Sequence, residues 1–148
     1  MNPDPGALAL AVKLLGSRER FESEIRAKLL AGGFEAAAAD AVVAHLAGKG
    51  LLDDLRTARA YARRRTGRRS VGREALREEL IARGAPEAVA SEVAAGAGPE
   101  GAYEALAGKF GPGESRVRAA RFLAGRGFSE EEAQAALDRV FGIGEHEE

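Results

Sequence analysis

The side chains best suited to chemistry in this sequence are the arginines of its middle part. Ten basic residues, all of them arginine, lie between residues 56 and 83, where only three acids accompany them. A guanidinium group pairs bidentately with phosphate or carboxylate, so a cluster of this kind indicates a docking face for a polyanion. The candidate contact residues are Arg56, Arg59, Arg63, Arg64, Arg65, Arg68, Arg69, Arg73 and Arg77.

The spacing of these arginines predicts where they lie. Arg56, Arg59 and Arg63 follow i, i+3, i+7 and form one stripe of a predicted helix. The others crowd the following turn and begin the next helix. Sequence alone leaves the partner open between DNA phosphate and an acidic protein surface, and a merely solvated helix surface is the competing interpretation.

Three other patterns resemble catalytic or binding sites and are better explained otherwise. Asp53 and Asp54 are adjacent at a predicted helix start, where carboxylates cap backbone N–H groups. The segment 67–74 has the glycine spacing of a phosphate-binding P-loop, but Arg73 replaces the lysine and Glu74 replaces the hydroxyl residue. His45 lies in a predicted helix with no catalytic partner nearby. We therefore expect no enzyme activity, no catalytic or metal site, and no cofactor.

Composition limits the class of protein. The chain has no cysteine, which excludes disulfides and thiolate zinc sites. No apolar run approaches the roughly 20 residues that span a bilayer, and the first residues lack the features of a signal peptide. The abundance of Ala, Leu, Arg and Glu favours helices over strands. We expect an all-α, soluble, cytoplasmic protein that is a monomer.

The elements that must position the arginines form a repeat. Amphipathic segments precede Gly33, Gly84 and Gly127, with Leu29, Leu80 and Leu123 at the same place four residues before each glycine. This pattern predicts a helix, a left-handed glycine just past its end, and a second helix beyond the turn. The glycine spacings of 51 and 43 residues lie near those of helical solenoids.

A shorter helix precedes each pair, over 7–15, 54–65 and 100–109. The prediction is therefore three tandem three-helix repeats in an elongated, curved array. The expected boundaries are 1–52, 53–97 for the arginine-rich unit, 98–142, and an acidic flexible tail over 143–148. Net charge changes along the chain, from −2 over residues 1–55 to +7 over 56–83 and −6 over 84–148.

The ordered motifs resemble those of the RecX family. The first unit has Glu24-Ile25-Arg26-Ala27-Lys28-Leu29, then Gly33-Phe34 and Gly50-Leu51-Leu52-Asp53-Asp54. The later units continue the resemblance with Leu76-Arg77-Glu78-Glu79-Leu80 before Gly84, and with Phe122-Leu123 before Gly127-Phe128. The sequence departs from the family pattern at Phe21, where a capping serine is frequent, and at Thr57, where an aromatic residue is usual.

The resemblance implies a regulator without catalysis of its own. Such a protein lies along the groove of the filament that RecA recombinase forms on DNA, and it limits filament growth, ATPase and strand exchange in recombination and DNA repair. The expected partner is the RecA filament, with contact to single- or double-stranded DNA. The alternative is an autonomous, sequence-independent DNA-binding protein, because basic two-helix units can imitate helix-turn-helix geometry.

Overall fold

The computed structural model describes residues 2–143, and every regular element in that range is helical. The all-α prediction is confirmed. Between the fourth and fifth helices, Gly67–Arg69 forms a 3₁₀ turn. The α-helices of the described range are α1 Pro5–Leu15, α2 Glu22–Ala31, α3 Ala36–Gly48, α4 Asp54–Arg64, α5 Arg73–Ala82, α6 Glu87–Ala95, α7 Gly101–Leu106, α8 Arg116–Gly125 and α9 Glu130–Phe141.

The helices pack in consecutive groups of three, α1–α3, α4–α6 and α7–α9, which we call the first, second and third units. Each unit surrounds its own cluster of buried apolar side chains. Leu29, Leu80 and Leu123 are each fully buried, one in each cluster. Their predicted equivalence as core positions is therefore confirmed. The boundaries at 52/53 and 97/98 remain our proposal for where one unit ends.

The central helices α2, α5 and α8 have the same length and the same ending. Each spans ten residues. The glycine that follows each of them, Gly33, Gly84 or Gly127, has a φ of 96°, 115° or 83° respectively. An L-residue with a side chain rarely adopts this left-handed conformation, so glycine ends each helix at low cost, as the sequence predicts.

Consecutive units meet through these glycine turns. The Ser23 hydroxyl at the start of α2 donates a 2.7 Å hydrogen bond to the carbonyl of Gly84. At the second junction, the N–H of Gly72 donates to the carbonyl of Arg126 at 3.0 Å. Backbones approach so closely here that a Cβ on Gly72 would lie 1.9 Å from the Gly127 carbonyl oxygen. The start of one central helix thus contacts the turn of the next unit.

Four ends of the predicted short helices differ from the structure, including the start of α7, which begins at Gly101 and not at residue 100. α1 begins at Pro5 rather than residue 7, because the Asp4 side chain accepts from the N–H groups of Gly6 and Ala7. α4 ends at Arg64, one residue early. α7 stops at Leu106 instead of residue 109, and Gly108 beyond it has a positive φ of 81°.

The expected tail over 143–148 lies outside the described residues except for Ile143, whose side chain is exposed. Within 2–143, no helix combines the length and the apolar character needed to cross a membrane.

Candidate functional site

The nine predicted contact arginines lie on three consecutive elements. Four are in α4, two are in the 3₁₀ turn, and two are in α5, with Arg65 directly after α4. The structure separates them into two groups by their contacts. Five are held by carboxylates or carbonyls of the same chain, and four have no such partner among residues 2–143.

Arg56 and Arg59 are held within the α4 stripe. The Arg56 guanidinium contacts both Glu19 carboxylate oxygens, at 2.9 and 3.2 Å, and donates to the Gly50 carbonyl at 2.9 Å. It therefore ties the α1–α2 connection to the α3–α4 connection. Arg59 makes a longer ion pair of 3.7 Å with Glu92 of α6. The predicted stripe is present, but two of its three arginines pair with acids of the same chain.

Arg65 belongs to a network at the C-terminal end of α4. Its Nη2 lies 2.9 Å from Oε2 of Glu79, and the Tyr61 hydroxyl donates to Oε1 of the same carboxylate at 2.6 Å. Burial acts to raise the pKa of Glu79, but the hydrogen bonds from Arg65 and Tyr61 outweigh it, and the pKa is lowered. Burial first, and then the Glu79 hydrogen bond, raise the pKa of Tyr61. This network joins α4 to α5.

Arg73 and Arg77 are also engaged within the protein. Arg73 donates two hydrogen bonds to the Ala97 carbonyl, at 2.8 and 3.1 Å. Arg77 donates to the Ser91 hydroxyl at 2.9 Å and lies 3.2 Å from Glu87. Both arginines therefore connect α5 to α6 or to the chain that follows α6, and they have less freedom to bind an external anion.

The remaining four arginines are exposed at the end of α4 and in the 3₁₀ turn. Their side chains make no hydrogen bond or ion pair with any other residue of the range 2–143. We call this group the arginine surface: Arg63, Arg64, Arg68 and Arg69. No acid of the described chain offsets these charges by direct contact, so a bound polyanion would relieve their mutual repulsion. Each guanidinium can present two parallel N–H donors to a phosphate.

A cavity of about 600 Å³ lies beside the arginine surface, between the second and third units. Arg59, Arg63 and Arg73 line it together with the acids Glu92, Glu100, Glu104 and Glu132. The apolar side chains of Leu76 and Phe128 also line it. Because acids and arginines share its walls, the cavity is less suited to a polyanion than the outward arginine surface.

Asp53 caps its own helix, as the sequence predicts, whereas Asp54 caps a helix of another unit, which the sequence does not predict. Asp53 accepts from the N–H of Arg56 in its own helix, and Asp54 accepts from the N–H of Glu22 in another unit. The P-loop-like segment forms the 3₁₀ turn and follows a helix, not a strand. His45 is half-buried in α3. In the part of the chain that the structure describes, no three His, Asp or Glu side chains converge as metal ligands do.

Sequence reasoning found the arginines but missed their partners. The carboxylates of Glu19, Glu79 and Glu92 lie 37, 14 and 33 positions from the arginines they contact. Such separations leave no periodic signal within a helix, so only the tertiary packing distinguishes a held arginine from one without a partner.

Two family models match the chain. One, described as RecX, first three-helix domain, matches residues 7–46. The other, described as RecX, second three-helix domain, matches residues 53–93. The first match therefore covers most of α1–α3, and the second covers α4, the 3₁₀ turn, α5 and most of α6.

Proteins with sequences similar to this chain carry the name regulatory protein RecX. A regulatory protein RecX of Thermus thermophilus is 42% identical over 122 residues, covering 82% of this chain and 83% of the relative. One from Pelodictyon phaeoclathratiforme is 32% identical over 149 residues, covering 92% and 89%. The crystal structure of RecX from Lactobacillus salivarius superimposes with a TM-score of 0.79 at 17% identity, covering 91% of this chain and 94% of that one. This last likeness supports the fold alone.

Proposed function

This chain belongs to the RecX family, and from that premise we propose that it binds the filament of RecA recombinase on DNA and restrains it. Binding would limit filament growth, ATPase and strand exchange during recombination and DNA repair. We further propose that the chain acts without catalysis or cofactor, as a monomer in the cytoplasm with its partner. The names of its relatives, which are regulatory proteins, support a role without chemistry.

The observation that carries the proposal is the arginine surface. Four exposed guanidinium groups lie on two adjoining elements, and none of them contacts an acid of the described chain. A RecA–DNA filament offers phosphates along its whole length, and each phosphate contact releases condensed counterions and adds to affinity. The other five predicted arginines connect α4 and α5 to neighbouring elements of the second unit or, for Arg56, to the first unit, and support the surface instead of forming it.

Tandem units suit a filament because a filament presents the same protomer surface at regular intervals. Contacts from consecutive units to consecutive protomers would add as linked sites, so weak individual contacts could give a stable complex. In this proposal the second unit supplies the phosphate contacts, and the less basic outer units contact protein. The outer units carry little net charge, 0 over residues 1–52 and −1 over 98–142 against +3 over 53–97, so DNA attracts them less, which favours their placement against a protein surface.

A binding titration tests this proposal. Labelled single-stranded DNA, with and without RecA, is titrated with the protein at several salt concentrations. We expect tighter binding to the RecA–DNA filament than to either DNA or RecA alone. Equal affinity for bare DNA and for the filament would contradict the proposal.

The alternative is an autonomous DNA-binding protein without sequence preference. The same arginine surface favours it, because guanidinium groups that lack protein partners can contact phosphates of free DNA directly. In the titration above, this alternative predicts strong binding to bare DNA with a steep salt dependence and no gain from RecA.

A further inference from the structure

The 3₁₀ turn that carries Arg68 and Arg69 depends on contacts from outside the second unit. Within the turn, the Arg69 N–H donates to the Thr66 carbonyl and the Ser70 N–H donates to the Gly67 carbonyl. Two such hydrogen bonds define only a marginal element, because short 3₁₀ turns have poor hydrogen-bond geometry. The contacts on either side of the two arginines come from the third unit.

On the N-terminal side, the contact is made by a carboxylate. The backbone N–H of Gly67 donates a 3.1 Å hydrogen bond to Oε1 of Glu104 in α7. This N–H begins the turn, one residue before Arg68. An acid of the third unit therefore fixes the segment that presents two cations of the arginine surface.

On the C-terminal side, the contact is made by Arg126 at the end of α8. Its Nη1 donates a 2.8 Å hydrogen bond to the carbonyl of Ser70, and its own carbonyl accepts from the N–H of Gly72 at 3.0 Å. Ser70 is 3% exposed, so this end of the turn is buried against the third unit. Arg68 and Arg69 thus lie between two attachments.

We propose that Glu104 and Arg126 are positioning residues that hold Arg68 and Arg69 in place for phosphate, an inference that rests on the proposed function. The third unit acts on polyanion binding through the backbone of the turn, without contributing a cation to the surface. Guanidinium groups on a fixed backbone lose less conformational freedom on binding, which raises affinity.

The proposal and simple electrostatics predict opposite effects for Glu104. Removing an acid beside a cationic surface increases the local positive charge, which by itself strengthens attraction to a polyanion. Removing the hydrogen bond to the Gly67 N–H releases the turn, and this release weakens binding of the polyanion. The variants Glu104→Gln and Glu104→Ala carry the same charge, but only glutamine retains a side-chain oxygen that can accept from the Gly67 N–H.

The test measures the affinity of the full-length chain for fluorescent oligothymidylate at low salt. We expect Glu104→Gln to bind at least as tightly as the wild type, and Glu104→Ala to bind about threefold or more weakly than Glu104→Gln, as expected for loss of one hydrogen bond. Hydrogen exchange over residues 66–72 should accelerate in Glu104→Ala and not in Glu104→Gln. Glu114→Ala, which removes an exposed acid elsewhere in the third unit, controls for charge and should not weaken binding.

A second pair of variants tests the other attachment. Arg126→Ala and Arg121→Ala each remove one cation from α8 or the residue directly after it, but Arg121 makes no hydrogen bond or ion pair in the described chain. We expect weaker binding in Arg126→Ala than in Arg121→Ala. Equal binding within this pair, and equal binding of Glu104→Ala and Glu104→Gln, would overturn the positioning role.

This failure is distinguishable from failure of the proposed function. If replacing Arg63, Arg64, Arg68 and Arg69 together leaves oligothymidylate binding unchanged, the arginine surface is not the contact face and both proposals fail. If that variant loses binding while the matched pairs show no difference, only the positioning role is overturned.

Discussion

Asp54 of α4 caps a helix of the preceding unit, because its Oδ1 accepts a 2.9 Å hydrogen bond from the backbone N–H of Glu22 at the start of α2. The N-cap residue of α2 is Phe21, which has no side-chain acceptor and is itself 2% exposed. Phe21 packs with the core cluster of the second unit. Phe21, in the place of a capping serine, therefore makes an apolar contact between units. The Asp54 carboxylate of α4 supplies the cap that Phe21 lacks.

This relationship predicts different effects for two substitutions of Asp54. Asp54→Asn keeps an oxygen that can accept from Glu22, whereas Asp54→Ala leaves the N–H without its cap. We expect the free energy of unfolding of Asp54→Ala to lie about 1 kcal/mol below that of Asp54→Asn. Urea denaturation measures both. Equal stability of the two variants would show that the cap contributes nothing.

The carboxylates near the start of α2 predict a dependence of stability on pH. Burial first, and then repulsion from Asp54 and Asp53, raise the pKa of Glu22. A carboxyl group whose pKa is raised in the folded state binds more protons there than in the unfolded state, so its contribution to stability falls as pH rises through its titration range. Glu22→Gln should therefore stabilise the protein at pH 7, and the gain should disappear below about pH 4.

Glu79 provides a control for which the expected effect of substitution on stability has the opposite sign. Its pKa is lowered by the hydrogen bonds from Arg65 and Tyr61, which outweigh burial, so it stabilises the fold at neutral pH and loses that effect as pH falls through its lowered pKa. Glu79→Gln should destabilise the protein at pH 7. Denaturation of Glu22→Gln and Glu79→Gln from acidic to neutral pH measures both effects. A change in unfolding free energy of the same sign for the two variants at pH 7 would contradict the account.

The repeat itself predicts equivalent losses in different units. Leu29 and Leu80 are fully buried, and their truncation to alanine should each cost about 2 to 5 kcal/mol of unfolding free energy. The neighbouring Leu30 and Ile81, exposed by 38% and 37%, serve as controls and should cost distinctly less. Losses at Leu29 and Leu80 no larger than at their neighbours would disprove the assigned core positions.

Local patterns made much of the fold predictable. Three glycines at matching places after amphipathic segments identified the central helices, because the left-handed helix end and the 3.6-residue period are both short-range properties. Contacts between distant segments were not predictable in this way. The Asp54 cap on α2 and the attachment of Gly67 to Glu104 join residues 32 and 37 positions apart.

The same limit applies to the candidate site. Charge counting identified all nine arginines, and nothing in their spacing separated Arg65, which Glu79 holds, from its neighbour Arg64. Arg73 is exposed and Arg77 is half-buried, and both connect α5 to later residues, which their spacing did not predict. Only the tertiary packing, including the contact of Arg56 with Glu19 of the first unit, reduces the candidate contacts to four.

The arginine surface predicts the salt dependence of DNA binding. Replacing Arg63, Arg64, Arg68 and Arg69 by glutamine should weaken binding to oligothymidylate and reduce the slope of log affinity against log salt by up to about 0.7 for each lost phosphate contact. Folding should be retained, since these side chains have no partners in the described chain.

A control variant for this measurement removes four exposed cations elsewhere. The side chains of Lys13, Lys28, Arg118 and Arg121 likewise make no hydrogen bond or ion pair within residues 2–143. Their replacement by glutamine changes the net charge equally. If the two variants lose the same affinity and slope, binding reflects net charge alone and the arginine surface has no special role.

The ATPase activity of RecA on single-stranded DNA, measured with increasing amounts of this protein, tests the central claim most directly. We predict that ATPase falls as the wild-type protein is added, and that the variant lacking Arg63, Arg64, Arg68 and Arg69 requires a markedly higher concentration for the same inhibition. The control variant with four other cations replaced should inhibit nearly as well as the wild type. Unchanged ATPase at a large excess of the wild-type protein would contradict the account.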